Sequence, residues 1–222
     1  MSWFKQLLGL QAPGGQPTAK ATASMAATGP LGLAPGKGVE FDPSLALLLQ
    51  GQSQVTIPGS QQIWSQGELD LGQGVWLSRY YMDQDEFWLQ VHSTGARDGQ
   101  VESVILFNYL ESLAVSSDAE LFRLAGPSSP IGLPTFERDG VSYTREWGTE
   151  PGQAQLVGML EKVTNPEESY TVQHRSMLYS RDTGLTNRRE FLLFSVELAE
   201  DGAVSLSASR GVSLYPTDFQ VI

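Results

Sequence analysis

Three features of this chain predict a mainly β fold, an antiparallel sandwich or partly closed barrel carrying one or two short helices. Segments in which apolar and polar residues alternate recur from Val75 onward, the pattern of strands with one buried face. Asp-Gly pairs at 98–99, 139–140 and 201–202 stand at the ends of such segments. That dipeptide suits a two-residue hairpin turn, where both positions take positive φ. Beyond residue 50 only one short stretch has helical character.

The elements follow in order. Residues 1–10 read as an amphipathic docking helix: after the N-cap Ser2, Trp3, Phe4, Leu7 and Leu8 share one side while Lys5 and Gln6 face away. So short a helix needs a surface to fold against. Residues 11–40, rich in Gly, Pro and Ala, read as a flexible linker, and 41–222 as one acidic β-rich domain. Removal of residues 1–38 is therefore expected to cost the domain little stability. Asp42-Pro43 is a cap followed by a first-turn proline and predicts a helix over 43–50.

Residues 75–81 and 87–92 flank the polar turn Asp83-Gln84-Asp85 as a hairpin. Asp98-Gly99 leads into a strand over 101–107. Asp139-Gly140 joins 135–137 to 141–143, and Asp201-Gly202 joins 191–198 to 203–209. Strands over 156–163 and 170–179 complete the set, the second placing Tyr170, Val172, His174 and Leu178 on one face. Ser117-Asp118-Ala119-Glu120 is a capping-box sequence that opens a short helix, stopped by Gly126-Pro127.

Composition narrows the function. The chain has 222 residues, no cysteine and a formal net charge of −11. Residues 1–40 hold Lys5, Lys20 and Lys37 against Glu40, so nearly all of the acidity lies in the body, which repels nucleic acid. Disulfides, thiol nucleophiles and zinc-thiolate sites are excluded outright. No secretory signal and no membrane-spanning run is expected, so the protein is expected in the cytoplasm, at most peripheral to the inner membrane.

Reactive motifs fail on inspection. Gly36-Lys37 lacks the spacing and the Ser or Thr of a phosphate loop, and Trp88 stands where a calcium loop starting at Asp83 needs glycine. No cofactor, metal site or catalytic residue is expected. His92 and His174, the chain's two histidines, lie in no recognisable catalytic setting, so both are expected to be dispensable. Two surfaces remain as alternatives to plain packing. Trp76, Tyr80 and Trp88 would alternate onto shared faces of adjacent strands and line a ligand cleft or partner face. Arg175, Arg188 and Arg189, with Arg181, border the Asp182-Thr183-Gly184 turn and would contact an anion, unless they form ordinary cross-strand ion pairs.

Trp3-Phe4-Lys5, the stretch from Leu69-Asp70-Leu71-Gly72 to Arg79-Tyr80-Tyr81, and Tyr143-Thr144-Arg145-Glu146-Trp147 resemble the YjfK-like family of uncharacterised bacterial proteins. The resemblance implies no chemistry. It implies an envelope-stress setting and a phage-shock protein A homologue as partner, since similar proteins are encoded beside one. The function expected is a non-enzymatic accessory protein that docks a partner, or the inner-membrane surface, through Trp3, Phe4, Leu7 and Leu8. The alternative is a small-molecule-binding barrel or an enzyme built on carboxylates and arginines.

Overall fold

A computed structural model describes residues 28–84 and 86–222. The docking segment Trp3, Phe4, Leu7 and Leu8 lies outside the described residues, as does most of the stretch read as linker.

Two four-stranded meanders build the centre. The first contains β2 (Gln61–Gly72), β3 (Val75–Met82), β4 (Phe87–Thr94) and β5 (Gln100–Val115); the second contains β8 (Val157–Thr164), β9 (Ser169–Asp182), β10 (Arg189–Ala199) and β11 (Val204–Leu214). They join at both edges, β5 to β11 and β2 to β8, with every pairing antiparallel. The result is a closed eight-stranded barrel, which leaves its strands no free sheet edge along the ring.

The rest of the fold wraps the outside. On one flank β1 (Gly38–Phe41), helix α1 (Pro43–Leu49) and β12 (Phe219–Val221) cover β3, β4 and β5 through Leu33, Val39, Phe41, Leu45, Leu49 and Phe219. On the other, helix α2 (Asp118–Ala125) and the hairpin of β6 (Thr135–Arg138) and β7 (Val141–Arg145) cover β9, β10 and β11. Strands buried on both faces lose the alternating pattern, as Phe191-Leu192-Leu193-Phe194 in β10 shows. Tyr81, Trp88, Phe107, Val163, Val172, Leu178 and Leu193, drawn from β3, β4, β5, β8, β9 and β10, fill the barrel itself.

Several expectations are met and others need correction. Asp42 accepts a hydrogen bond from the Ser44 amide and caps α1, and Asp139-Gly140 forms the two-residue turn with φ of 53° and 74°. At Asp201-Gly202 only Gly202 takes positive φ (85°), and the Ala199 amide donates to the Ala203 carbonyl across the turn. Ser117 caps α2, but Glu120 returns its carboxylate to Ser116 rather than to Ser117, so the box is displaced by one residue. The linker also ends earlier than residue 40. Leu33 and Val39 are fully buried, and β1 pairs with both β2 and β12, so a deletion through residue 38 removes part of an apolar core. The first long strand, β2, carries Ser, Gln, Gly and Glu where apolar residues would have announced it.

Gly211 on β11 faces Phe107 across the pair, and a Cβ there would lie 2.6 Å from the Phe107 ring. Phe107 in turn stacks on Trp88 at 4.2 Å between ring centroids. Gly211→Ala is expected to overpack the barrel by about 2 kcal/mol and lower the melting temperature by roughly 6 °C, measured by calorimetry. An unchanged midpoint would show that the stack shifts freely.

Candidate functional site

The barrel encloses charge. Arg79 on β3 and Glu161 on β8 project into it, with Arg79 Nη1 donating to Glu161 Oε2 at 2.9 Å. Tyr81 donates its hydroxyl to Glu161 Oε1 at 2.8 Å, and Arg79 Nε donates to Gln90 Oε1 at 3.2 Å. The Arg79 guanidinium also sits 5.1 Å from the centre of the Trp88 ring. Arg79, Glu161 and His174 are each 5 % exposed or less.

His174 on β9 lies between two partners. Its Nε2 stands 2.7 Å from Glu161 Oε2, and its Nδ1 lies 3.0 Å from the Ser195 hydroxyl on β10. The first contact has ion-pair length but a poor angle for a hydrogen bond. The distance carries more weight, since a small ring rotation restores the angle without changing the proximity. Ser176 joins Ser195 at 2.8 Å, and Ser207 donates to Glu197 at 2.6 Å one layer further along the barrel.

Burial by itself would raise the Glu161 pKa. Arg79, His174 and Tyr81 outweigh that, so it is held down to about 2. Burial opposes the charge on Arg79 too, yet the Glu161 carboxylate keeps its pKa above the ordinary arginine value. The pair is therefore ionised, and each partner compensates the other.

Gly67 makes this possible. It lies opposite Arg79 on one side and Val163 on the other, at the middle of the β2–β8 seam. A Cβ at position 67 would sit 1.6 Å from Glu161 Oε1. The missing side chain is the room the carboxylate occupies.

An acid, an imidazole and a hydroxyl in sequence suggest nucleophilic serine chemistry. Three features oppose it. Ser195 is sealed in the middle of β10 rather than raised on a strained turn. The ring is reversed, presenting Nδ1 and not Nε2 to the hydroxyl. Glu161 is also committed to Arg79 and Tyr81. The arrangement can pass a proton between Ser195 and His174, and it fixes both inside the barrel. His174 thus belongs to a constellation that its isolation in the sequence hid.

The residues singled out from sequence are dispersed. Register pairs Trp88 with Tyr81, so Trp88 points into the barrel while Tyr80 and Trp76 share the opposite face. Tyr80 is buried beneath the 29–33 turn, and Trp76 is half-buried. The three do not line one cleft. Arg188 makes a double hydrogen bond to Asp218 at 2.8 and 2.9 Å, Arg189 pairs with Glu146 at 2.6 Å, and Arg181 pairs with Glu190 at 2.9 Å. Each of these guanidiniums therefore has a carboxylate of its own. Arg175 stands apart on the outer face of β9. There it lines a groove of about 720 Å³ between α2 and residues 153–156.

The sequence reading missed Arg79, Gln90, Glu161 and Ser195. Their signal was a charged or polar residue at an inward position of an otherwise apolar strand face, Arg79 between Leu77 and Tyr81 and Glu161 between Met159 and Val163. Among the described residues no group of three or more His, Asp or Glu side chains is placed to hold a metal ion, and no helix is long and apolar enough to cross a membrane.

Removing one charge of the buried pair strands the other. Glu161→Gln is expected to cost about 3–5 kcal/mol, read as a fall in denaturation midpoint, while Arg79→Met with Glu161→Leu recovers most of the loss. Acid titration gives an independent check. The folded pKa lies below the ordinary 4.5, so the stabilisation is complete above pH 4.5 and disappears as pH falls towards 2, worth about 3 kcal/mol in all. Glu161→Gln should flatten that part of the stability–pH curve; a curve of unchanged shape would assign the acid sensitivity to another group.

The profile of a family described as "Protein of unknown function (DUF2491)" matches residues 3–220. The uncharacterized protein YjfK of Escherichia coli K12 is 32 % identical over 175 residues, which cover 77 % of this chain and 78 % of that protein. No solved structure matches. A match across nearly the whole chain and a relative of this identity place the protein in the YjfK-like family of unknown function.

Proposed function

We propose that this protein is a non-enzymatic accessory protein that docks a partner through its N-terminal segment, with the barrel as a rigid scaffold. The observation that supports this reading is the sealed interior. Its polar groups converge as they would in a binding site, but Arg79, Glu161, His174 and Ser195 are 5 % exposed or less and are directed at one another. A scaffold of this kind leaves recognition to its outside and to attached segments. Trp3, Phe4, Leu7 and Leu8 supply an apolar face of several hundred Å², enough at ~25 cal/mol per Å² for micromolar docking after ordering costs. The resemblance to the YjfK-like family suggests an envelope-stress setting at the cytoplasmic face of the inner membrane, with a phage-shock protein A homologue as partner.

The alternative, a small-molecule-binding or hydrolytic barrel, draws support from one contact, the approach of His174 to Ser195. A fluorophosphonate that labels Ser195 in the wild type and not in His174→Gln would favour it.

Substituting Trp3 and Leu7 by Ser removes about half of the docking face. Partner recovery from native cells should fall at least about tenfold while the melting temperature falls by no more than about 5 °C. With Lys5 as the one nearby charge, binding should persist at high ionic strength. Unaltered recovery by the doubly substituted protein would remove the N-terminal segment as the docking element.

A further inference from the structure

We propose that the groove beside α2 receives the chain's own Trp3–Leu8 segment, so that the docking face is held against the barrel until a partner competes for it. The inference rests on the reading of that segment as the docking element, and adds its resting place.

The groove can take an apolar segment: Leu121, Phe122, Pro127, Ile131, Leu156 and Val196 line it, alongside the polar Gln153 and Gln155. Its volume, about 720 Å³, is in the range of sites that enclose several large side chains. Helix α2 is incompletely packed. It turns Leu121, Leu124 and Ala125 towards the barrel, yet none of its residues is fully buried and Phe122 remains 60 % exposed. A helix of eight residues depends on packing for its stability, and the groove side of α2 is where packing is missing.

Two arguments identify the occupant. The first is reach. The 17 residues from 11 to 27 precede Thr28, the first described residue, and extended they span roughly 55 Å. A folded body of this size has a radius of gyration of about 16 Å, so the segment can arrive at either flank. The second is charge. Residues 1–40 carry three lysines against one glutamate, whereas the rest of the chain is strongly acidic; on the groove itself Asp118 and Arg175 balance, so the attraction is to the acidic body as a whole. Tethering adds a concentration effect: an attached segment experiences an effective concentration of about 1 mM, so a contact with a dissociation constant of only about 0.1 mM is occupied roughly nine-tenths of the time. A partner that docks at micromolar affinity can still displace it.

A photoreactive benzoylphenylalanine in place of Phe4, in the full-length protein at low concentration, tests the contact directly. Irradiation and peptide mass mapping should give intramolecular adducts within residues 118–131 or 153–156. Adducts on the β1–α1–β12 flank, adducts between molecules, or none under conditions that label a buried control position would overturn the proposal. Hydrogen exchange supplies a second reading without the probe: amides of 118–131 should exchange about tenfold faster in the full-length protein carrying Trp3→Ser and Leu7→Ser, and unaltered rates would count equally against it. Partner recovery is scored separately. If the double substitution abolishes recovery while Phe4 adducts fall elsewhere, docking stands and the resting contact is lost.

Discussion

A carboxylate in the interior of a β-barrel has to be answered from within, and this fold is arranged around that requirement. The barrel closes through three residue pairs between β2 and β8, and Gly67 is the middle one. Any side chain there would occupy the space of the Glu161 carboxylate. Closure, the Arg79–Glu161 pair and the absence of a Cβ at position 67 are thus one condition seen from three sides. Arg79 reaches across from β3, Tyr81 supplies a second donor, and His174 approaches from β9. Such a pair adds little net stability over apolar residues of equal volume. What it adds is selectivity among registers: sliding β8 by one residue would turn Glu161 outwards and leave Arg79 buried with no counter-charge.

The outer layers obey a similar logic. Glu190 is fully buried on the outer side of β10 and accepts from Ser53, the Gln54 amide, Tyr143 and Arg181. One carboxylate therefore ties the segment after α1 to β7 and β9. Arg188 and Asp218 do the same for the C-terminal turn, with Arg188 stacked 4.6 Å from the Tyr215 ring centre. Arg145 binds the carbonyls of Gly132, Gly148, Glu150 and Gly152, gathering the loop after β7 around its guanidinium. Ionic groups here act as local fasteners between a barrel and its wrappings, which explains why arginines that look like an anion site in the sequence lie far from one another in function.

Most of the fold was legible because its signals are local. The Asp42 cap, the Ser117 cap, the hairpin of β3 and β4 and the alternation in β9 depend on residues close in sequence. Strand β2 was not legible. Its inward and outward positions are filled by Gln61, Ser65, Gln66 and Gly67, chosen for neighbours on β3, β8 and β1 that periodicity does not reveal. The turn before β3 uses Gln73-Gly74, at φ of 54° and 76°, in place of the Asp-Gly signature found elsewhere. The interior cluster was hidden for the same reason: Arg79 and Glu161 are 82 positions apart, and only closure makes them partners. Register also decided the aromatics, since the pairing of Tyr81 with Trp88 sends Trp88 inward while Tyr80 goes outward.

The pairing of β1 with β12 has a consequence for how the chain is made. Gly38 and Ile222 exchange backbone hydrogen bonds, so one end of the described fold is completed by the other. During synthesis, residues 38–41 leave the ribosome long before residues 219–222 exist. Val39 and Phe41 must wait in an unfinished chain, next to a β2 strand whose barrel partner β8 is also still to come. Folding dominated by such distant pairings is slow, because loop closure is required before the contacts that reward it. The nascent protein therefore passes through an interval with an apolar N-terminal flank uncovered. That interval, more than any weakness of the finished barrel, is when it is most exposed to aggregation and most in need of a chaperone.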